Sequence, residues 1–319
     1  MALVLDYHLH LWEHGPRPLE ATVAHVAAYC EAATAAGVTE IALTEHLFRF
    51  RQADAVLGGW WHDHRPPALA GAMGRWWASE QGGDLDQYVD AVLAAKAAGL
   101  PVVLGLEVDH YPGRMHQVAE LLAGYPFDVL LGSVHWLGPW GFDNLGDDTF
   151  AAEWDTRSVD SVWDAYTTSL EELADSGVCD VLAHPDLCKV TGRRPEVPDE
   201  FYARMAEAAA RSGMAAEVSS AGWRKPVGEA YPAPPLLDRF RRAGVAVTTA
   251  SDAHGLSRVA ERRGELAGLL AAAGYDELVA YAGRRPRPVS LAGAPAPGSD
   301  DAAAAPAAGG PQASPARRA

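Results

Sequence analysis

The stretch Asp6-Tyr7-His8-Leu9-His10-Leu11-Trp12-Glu13-His14 directly follows the short apolar run Leu3 to Leu5. The apolar run reads as a buried strand, so side chains alternate and Asp6, His8 and His10 fall on one face as the strand ends. Two imidazoles on one face make half of a metal site, because a neutral imidazole offers a lone pair near neutral pH while a carboxylate such as Asp6 can orient its second nitrogen. A single His-x-His among 12 histidines is weak on its own. The rest of the chain must supply the remaining donors.

Working outward, apolar runs alternate with helical spacing. Leu19 to Ala36 reads as a helix stopped by Gly37, and Glu40 to Thr44 as a second strand followed at once by Glu45-His46. Residues 84 to 98 read as a helix and Pro101 to Leu106 as a strand that delivers Glu107-Val108-Asp109. Arg114 to Ala123 and then Asp128 to Gly132 lead into Ser133-Val134-His135. Asp160 to Ser176 and then Val178 to Ala183 lead into His184-Pro185-Asp186. Asp199 to Ser212 precedes a strand at Met214 to Val218 ahead of Ser219-Ser220, and Pro235 to Ala243 precedes Val245 to Ala250, which delivers Ser251-Asp252-Ala253-His254. Seven strand-then-helix units with short, doubly apolar strands predict an α/β fold with a parallel sheet covered by helices, closed or nearly closed into a barrel. His8, His10, His46, Glu107, His135, His184, Asp252 and His254 all fall at the carboxyl ends of these strands, the rim on which such folds build active sites.

Two segments stand outside the repeat. Residues 50–83 form a long insertion on the same rim and carry Trp60, Trp61, Trp76 and Trp77, which suits a lid or a pocket wall. His62 and His64 make a second His-x-His there, but with Pro66-Pro67 following and no strand before them they read as solvated loop residues. From residue 284 to 319 the composition shifts to Ala, Pro and Gly, predicting a disordered tail beyond a folded unit of residues 1–283.

Composition narrows the function. The 319 residues are 49% hydrophobic and 21% charged, with no apolar run of membrane-spanning length and no secretory signal, so a soluble, cytoplasmic protein is expected. Cys30, Cys179 and Cys188 lack metal-type pair spacing and read as buried free thiols. A net charge of −16 argues against nucleic-acid binding, which needs a basic face.

Seven histidines, one glutamate and one aspartate are too many ligands for one ion and suit two or three divalent cations; mixed imidazole and carboxylate donors accept Zn, Fe or Mn. At this point the chain resembles the PHP (polymerase and histidinol phosphatase) family of phosphoesterases. The matching pieces are Asp6 to His10, Glu13-His14-Gly15, Thr44-Glu45-His46, Gly105 to Asp109, Gly132 to His135, Ala183 to Asp186 and Ser251 to His254. The segment Glu217 to Pro232 is similar to one found in the histidinol-phosphatases of that family.

The resemblance implies a distorted seven-stranded (β/α)7 barrel with a trinuclear centre. His8, His10, Glu107 and Asp252 would hold one cation; Glu107, bridging, with His135 and His184, a second; His14, His46 and His254 a third. The loop from His10 to His14 is shorter than the family pattern, which puts the third site in doubt. Water bridging two cations would be acidified into a hydroxide that attacks phosphorus in line. Arg224 is the first choice for a phosphate clamp, ahead of Lys225, Lys189 and Arg193. Asp252 or His254 is the candidate proton donor to the leaving alkoxide, alongside Glu107 as the catalytic bridge, and Asp109 is a candidate partner behind the ligands. The expected activity is hydrolysis of L-histidinol phosphate in histidine biosynthesis. Another small phosphate ester is the alternative within the family, and a non-catalytic module is a third reading. An amidohydrolase also opens with His-x-His, but no lysine stands at a mid-chain strand end, where Glu107 lies.

Overall fold

Seven short parallel strands run around a barrel in sequence order: β1 (Leu5–Leu9), β2 (Glu40–Leu43), β3 (Val102–Asp109), β4 (Val129–Ser133), β5 (Val181–Leu182), β6 (Ala215–Ser219) and β7 (Val247–Ala250). The computed structural model describes residues 3–62 and 66–291. Almost every strand residue is buried, as expected of a sheet lined on both faces. Gly105 is needed where β3 passes β2, because a Cβ there would stand 2.6 Å from Thr44 Cγ2.

The barrel is nearly closed. Between β7 and β1 no ladder forms: the contact is a single parallel bridge, Leu9 with Ala253, with His10 N–H donating to Ala253 O at 2.8 Å. Side chains complete this seam, Thr249 Oγ1 donating to Leu5 O at 2.8 Å and Asp6 accepting from Ser251 N–H at 2.8 Å and Ser251 Oγ at 2.7 Å.

Helices cover the outside: α1 (Val23–Ala35), α2 (Arg51–Leu57), α3 (Pro67–Glu80), α4 (Leu85–Ala97), α5 (Met115–Leu122), α6 (Asp148–Glu153), α7 (Val159–Asp175), α8 (Asp199–Ser212), α9 (Pro234–Arg242) and α10 (Arg263–Ala273). Their ends follow local chemistry. Thr22, Asp84, Asp147 and Ser158 cap the first turns of α1, α4, α6 and α7 with side-chain oxygens. In α8, Asp199 and Glu200 open the helix, Arg211 closes it, and Gly213 takes the left-handed turn at φ +74°. Val162, Tyr166, Leu170 and Leu173 recur along α7 at three- and four-residue spacing and are buried.

The insertion at 50–83 folds as α2 and α3, and its tryptophans pack inward: Trp60, Trp61 and Trp77 are buried, and Trp60 lies 5.4 Å from the Trp136 ring. His62 is exposed, and His64 lies outside the described residues. The boundary expected at 283/284 needs correction. Residues 285–290 form β9 (Arg285–Ser290), which pairs antiparallel with β8 (Glu277–Ala282). This hairpin belongs to the folded unit because Leu278 to Tyr281 are buried and the Arg284 guanidinium joins Asp180 and donates to Val178 O at 2.6 Å. The low-complexity segment from 292 onward lies outside the described residues. Cys30, Cys179 and Cys188 are buried and unbridged. Among the described residues no helix is long and apolar enough to cross a membrane.

Candidate metal centre

Glu107, fully buried on β3, is the hub at the carboxyl ends of the strands. Its Oε2 lies 3.1 Å from His8 Nε2, 3.5 Å from His10 Nε2 and 2.8 Å from His46 Nδ1, while Oε1 lies 3.4 Å from His135 Nε2 and 3.1 Å from His184 Nε2. Asp252 Oδ1 adds contacts of 3.9 Å to His8 Nε2 and 3.5 Å to His10 Nε2, and His254 Nε2 faces His46 Nε2 at 3.4 Å. Four groups have ligand atoms within 4.8 Å of one another among the described residues: His10, His46 and His254; His8, His10 and Asp252; His8, Glu107 and His184; His46, Asp109 and His135. Donors arranged about 2.0–2.2 Å from one ion lie roughly 3–3.5 Å apart, which is the spacing seen here.

The donor set fits divalent cations on a second count. His8 Nε2, His10 Nε2, His46 Nδ1 and Glu107 Oε2 are buried and face one another without the alignment of hydrogen bonds. Buried polar atoms are rarely left in that condition unless something else satisfies them.

The electrostatics agree. Burial alone would raise the Glu107 carboxyl, but His8, His46 and His135 overcome it and hold the group well below the usual carboxylate range. Burial, with the charge of His10, holds His46 and His254 well below the ordinary imidazole value, leaving lone pairs free to coordinate. Asp252 is likewise an anion, since His8, His10 and His254 outweigh its burial. His8 is drawn upward against burial by Glu217 and Glu107, so the carboxylates favour positive charge at this point.

Carboxylates behind the cage fix the rings. Glu217 Oε2 lies 2.6 Å from His8 Nδ1, and its Oε1 accepts from the His184 N–H at 3.3 Å. Asp109 Oδ1 lies 2.6 Å from His135 Nδ1. Glu45 Oε2 is 3.7 Å from His10 Nδ1 and accepts from the buried Arg49 at 2.9 Å. Asp6 does not orient either imidazole: its oxygens are taken by Ser251 and by Ala260 N–H at 2.8 Å. The β1 register shifts between Asp6 and Leu9, so strict alternation fails inside the strand. Glu217 could have been read as the one charge within the apolar run Ala215 to Val218; Glu80, at the end of α3, carried no such signal. Two of the candidate ligands sit on left-handed backbone, His184 at φ +27° and Asp252 at φ +52°.

His14 joins none of the four close groups. It stands half-exposed at the mouth, its ring 4.7 Å from His254 and 5.3 Å from His46, with Nδ1 3.3 Å from Glu80 Oε2. The expected phosphate cations separate. Lys225 lines a cavity of about 750 Å³ that opens on His14, His46 and His135. Arg224 does not line it, because its guanidinium is held by Glu261 Oε2 at 2.8 Å and by the carbonyls of Ser251 and Asp252 at 3.0 and 2.9 Å. Lys189 is buried and spent on Asp186, Glu229 and Ala230 O. Arg193 binds Asp155 and Trp154 O, away from the cavity.

A parallel barrel with a convergent imidazole and carboxylate cage at its carboxyl rim defines the class of metal-centred α/β-barrel hydrolases. Residues 7–221 match the family described as "PHP domain", and the chain belongs to that family. A relative from Deinococcus radiodurans named "Probable histidinol-phosphatase" is 38% identical over 209 residues, covering 63% of this chain and 76% of the relative. The same fold is found in the crystal structure of a histidinol phosphate phosphatase from Lactococcus lactis complexed with zinc, L-histidinol and phosphate. Its TM-score is 0.64 at 19% identity, covering 90% of this chain and all of the other. A structure described as the "putative histidinol phosphatase" of Listeria monocytogenes matches with the same TM-score at 18% identity, over 82% of this chain and 99% of that one.

Proposed function

We propose that this protein is a phosphomonoesterase that hydrolyses L-histidinol phosphate to L-histidinol and phosphate, a step of histidine biosynthesis in the cytoplasm. The observation that carries the reading is the Glu107-centred cage opening on a cavity with a lysine in its wall, in a chain 38% identical to a histidinol-phosphatase relative. His8, His10, Glu107 and Asp252 would hold one divalent cation and Glu107, His135 and His184 a second. His46 and His254, with His10 or His14, would hold a third; Zn, Fe or Mn suits such donors. Bound there, the cations supply Lewis-acid charge and acidify water for in-line attack on phosphorus.

The chain's own residues do the rest. Glu217, Asp109 and Glu45 fix the imidazoles that bind, so little rearrangement is needed during the reaction. Lys225 meets the phosphoryl oxygens, and Arg224 holds the turn that presents Asp252 and His254. Asp252 and His254 serve as ligands in place of the proton donors first expected, since neither carries an available proton near neutral pH. Turnover of a phosphate-ester panel by metal-loaded enzyme tests the substrate. A strong preference for L-histidinol phosphate is expected, and equal rates on nucleotide or sugar phosphates would replace it with the broader PHP phosphoesterase reading.

A further inference from the structure

The cavity beside the cage is larger than a phosphate requires and is lined asymmetrically. Of its two carboxylates, Glu80 is engaged by Gly15 N–H at 2.7 Å and by Arg49 and His14 at 3.3 Å each. Asp143 has no hydrogen bond or ion pair to its carboxylate among the described residues. It lies in the loop after β4 and shares the cavity lining with His135. Lys225 is the one lysine or arginine in the lining among the described residues, so the cavity offers a place for an anion and a separate place for a cation.

Three aromatic rings form the wall between insertion and barrel. Phe48 and Trp76 have centroids 4.8 Å apart, and Trp136 stands 6.1 Å from each. The Trp136 indole N–H is used up on His110 O at 3.0 Å. Phe48 and Trp136 are buried and back the part-exposed Trp76, whose ring is what this wall chiefly presents to a ligand.

We infer that Asp143 and the wall of Phe48, Trp76 and Trp136 form the subsite for the leaving-alcohol half of the substrate, the carboxylate taking its ammonium and the rings its imidazole. The inference rests on the proposed histidinol phosphate activity and adds the residues that select it. A carboxylate facing an ammonium makes a charge-assisted hydrogen bond, and flat rings stack on tryptophan without needing a fixed donor.

The test compares kcat/KM on L-histidinol phosphate, its des-amino analogue 3-(imidazol-4-yl)propyl phosphate, and glycerol 2-phosphate. In Asp143→Asn the ratio of the first substrate to the second should fall roughly tenfold to hundredfold, mainly through KM, the worth of one charge-assisted bond. Asp143→Glu should restore part of it. In Trp76→Ala the ratio of the des-amino analogue to glycerol 2-phosphate should fall by about tenfold. A wild-type enzyme no faster on L-histidinol phosphate than on glycerol 2-phosphate would overturn the substrate reading and this subsite with it. A selective wild type whose first ratio survives Asp143→Asn would overturn the assignment of Asp143 alone, and a second ratio that survives Trp76→Ala would remove the wall.

Discussion

Glu107 touches five imidazoles through two oxygens, so its charge cannot be replaced locally. Glu107→Gln keeps the shape and removes the anion that would bridge two cations in the proposed centre. Metal content measured by mass spectrometry should fall, and kcat should drop on the order of a thousandfold or more, with circular dichroism unchanged. A different residue, His110, is expected to make the protein more sensitive to acid. Burial pushes the His110 imidazole down to about 4, outweighing the exposed Glu172 carboxylate 3.4 Å away. Unfolded, the same group titrates near 6.5. Between those values the unfolded chain binds the extra proton, so stability is fully present above pH 6.5 and is lost as pH falls toward 4, by up to about 3 kcal/mol. His110→Gln should flatten the Tm profile across that window relative to wild type. Parallel profiles would show that the acid sensitivity lies elsewhere.

At the scale of elements, α3 shows how an insertion becomes part of a catalytic rim. Its last residue, Glu80, is buried against Arg49, Gly15 and His14, tying the helix to the loop that follows β1. Glu80→Ala leaves a buried guanidinium short of one partner and should cost about 3 kcal/mol, visible as a Tm lowered by roughly 6–10 °C; Glu80→Gln should cost less. None of this is written locally in residues 50–83, because the partners come from another part of the chain. The strands, by contrast, were legible: all but β6 are short apolar runs closed by a candidate ligand, and apolar runs of that kind have little other use in an α/β chain. The β5 expectation at 178–183 shrinks to Val181–Leu182, although Asp180 still bonds through its backbone to Leu130 O and Ala215 N–H while its carboxylate accepts from Leu130 N–H and Arg284. The β8–β9 hairpin was missed since Arg285 to Ser290, RPRPVS, has two prolines and pairs along one edge only. The convergence of the candidate ligands was more legible in sequence than the placement of the cationic side chains: the histidines end neighbouring strands, whereas Arg224, Lys189 and Arg193 each find a carboxylate or carbonyl that sequence order conceals.

For the molecule as a whole, the two barrel edges that meet last, β1 and β7, also carry His8 and His10 on one side and Asp252 and His254 on the other. Chelation should lower Tm by roughly 5–10 °C at saturating wild-type metal, with recovery on adding Mn, Fe or Zn. Thermal unfolding with and without chelator measures it, and an unchanged Tm would detach the cage from stability. The amide of His10, bonded across the seam to Ala253, reports the same event locally, and its hydrogen exchange should slow when metal is restored. An incomplete ladder at that junction would then have a use: a bound cofactor would act as a clasp on a hoop whose ends are joined by few bonds, so that loading the enzyme and locking its frame become one act.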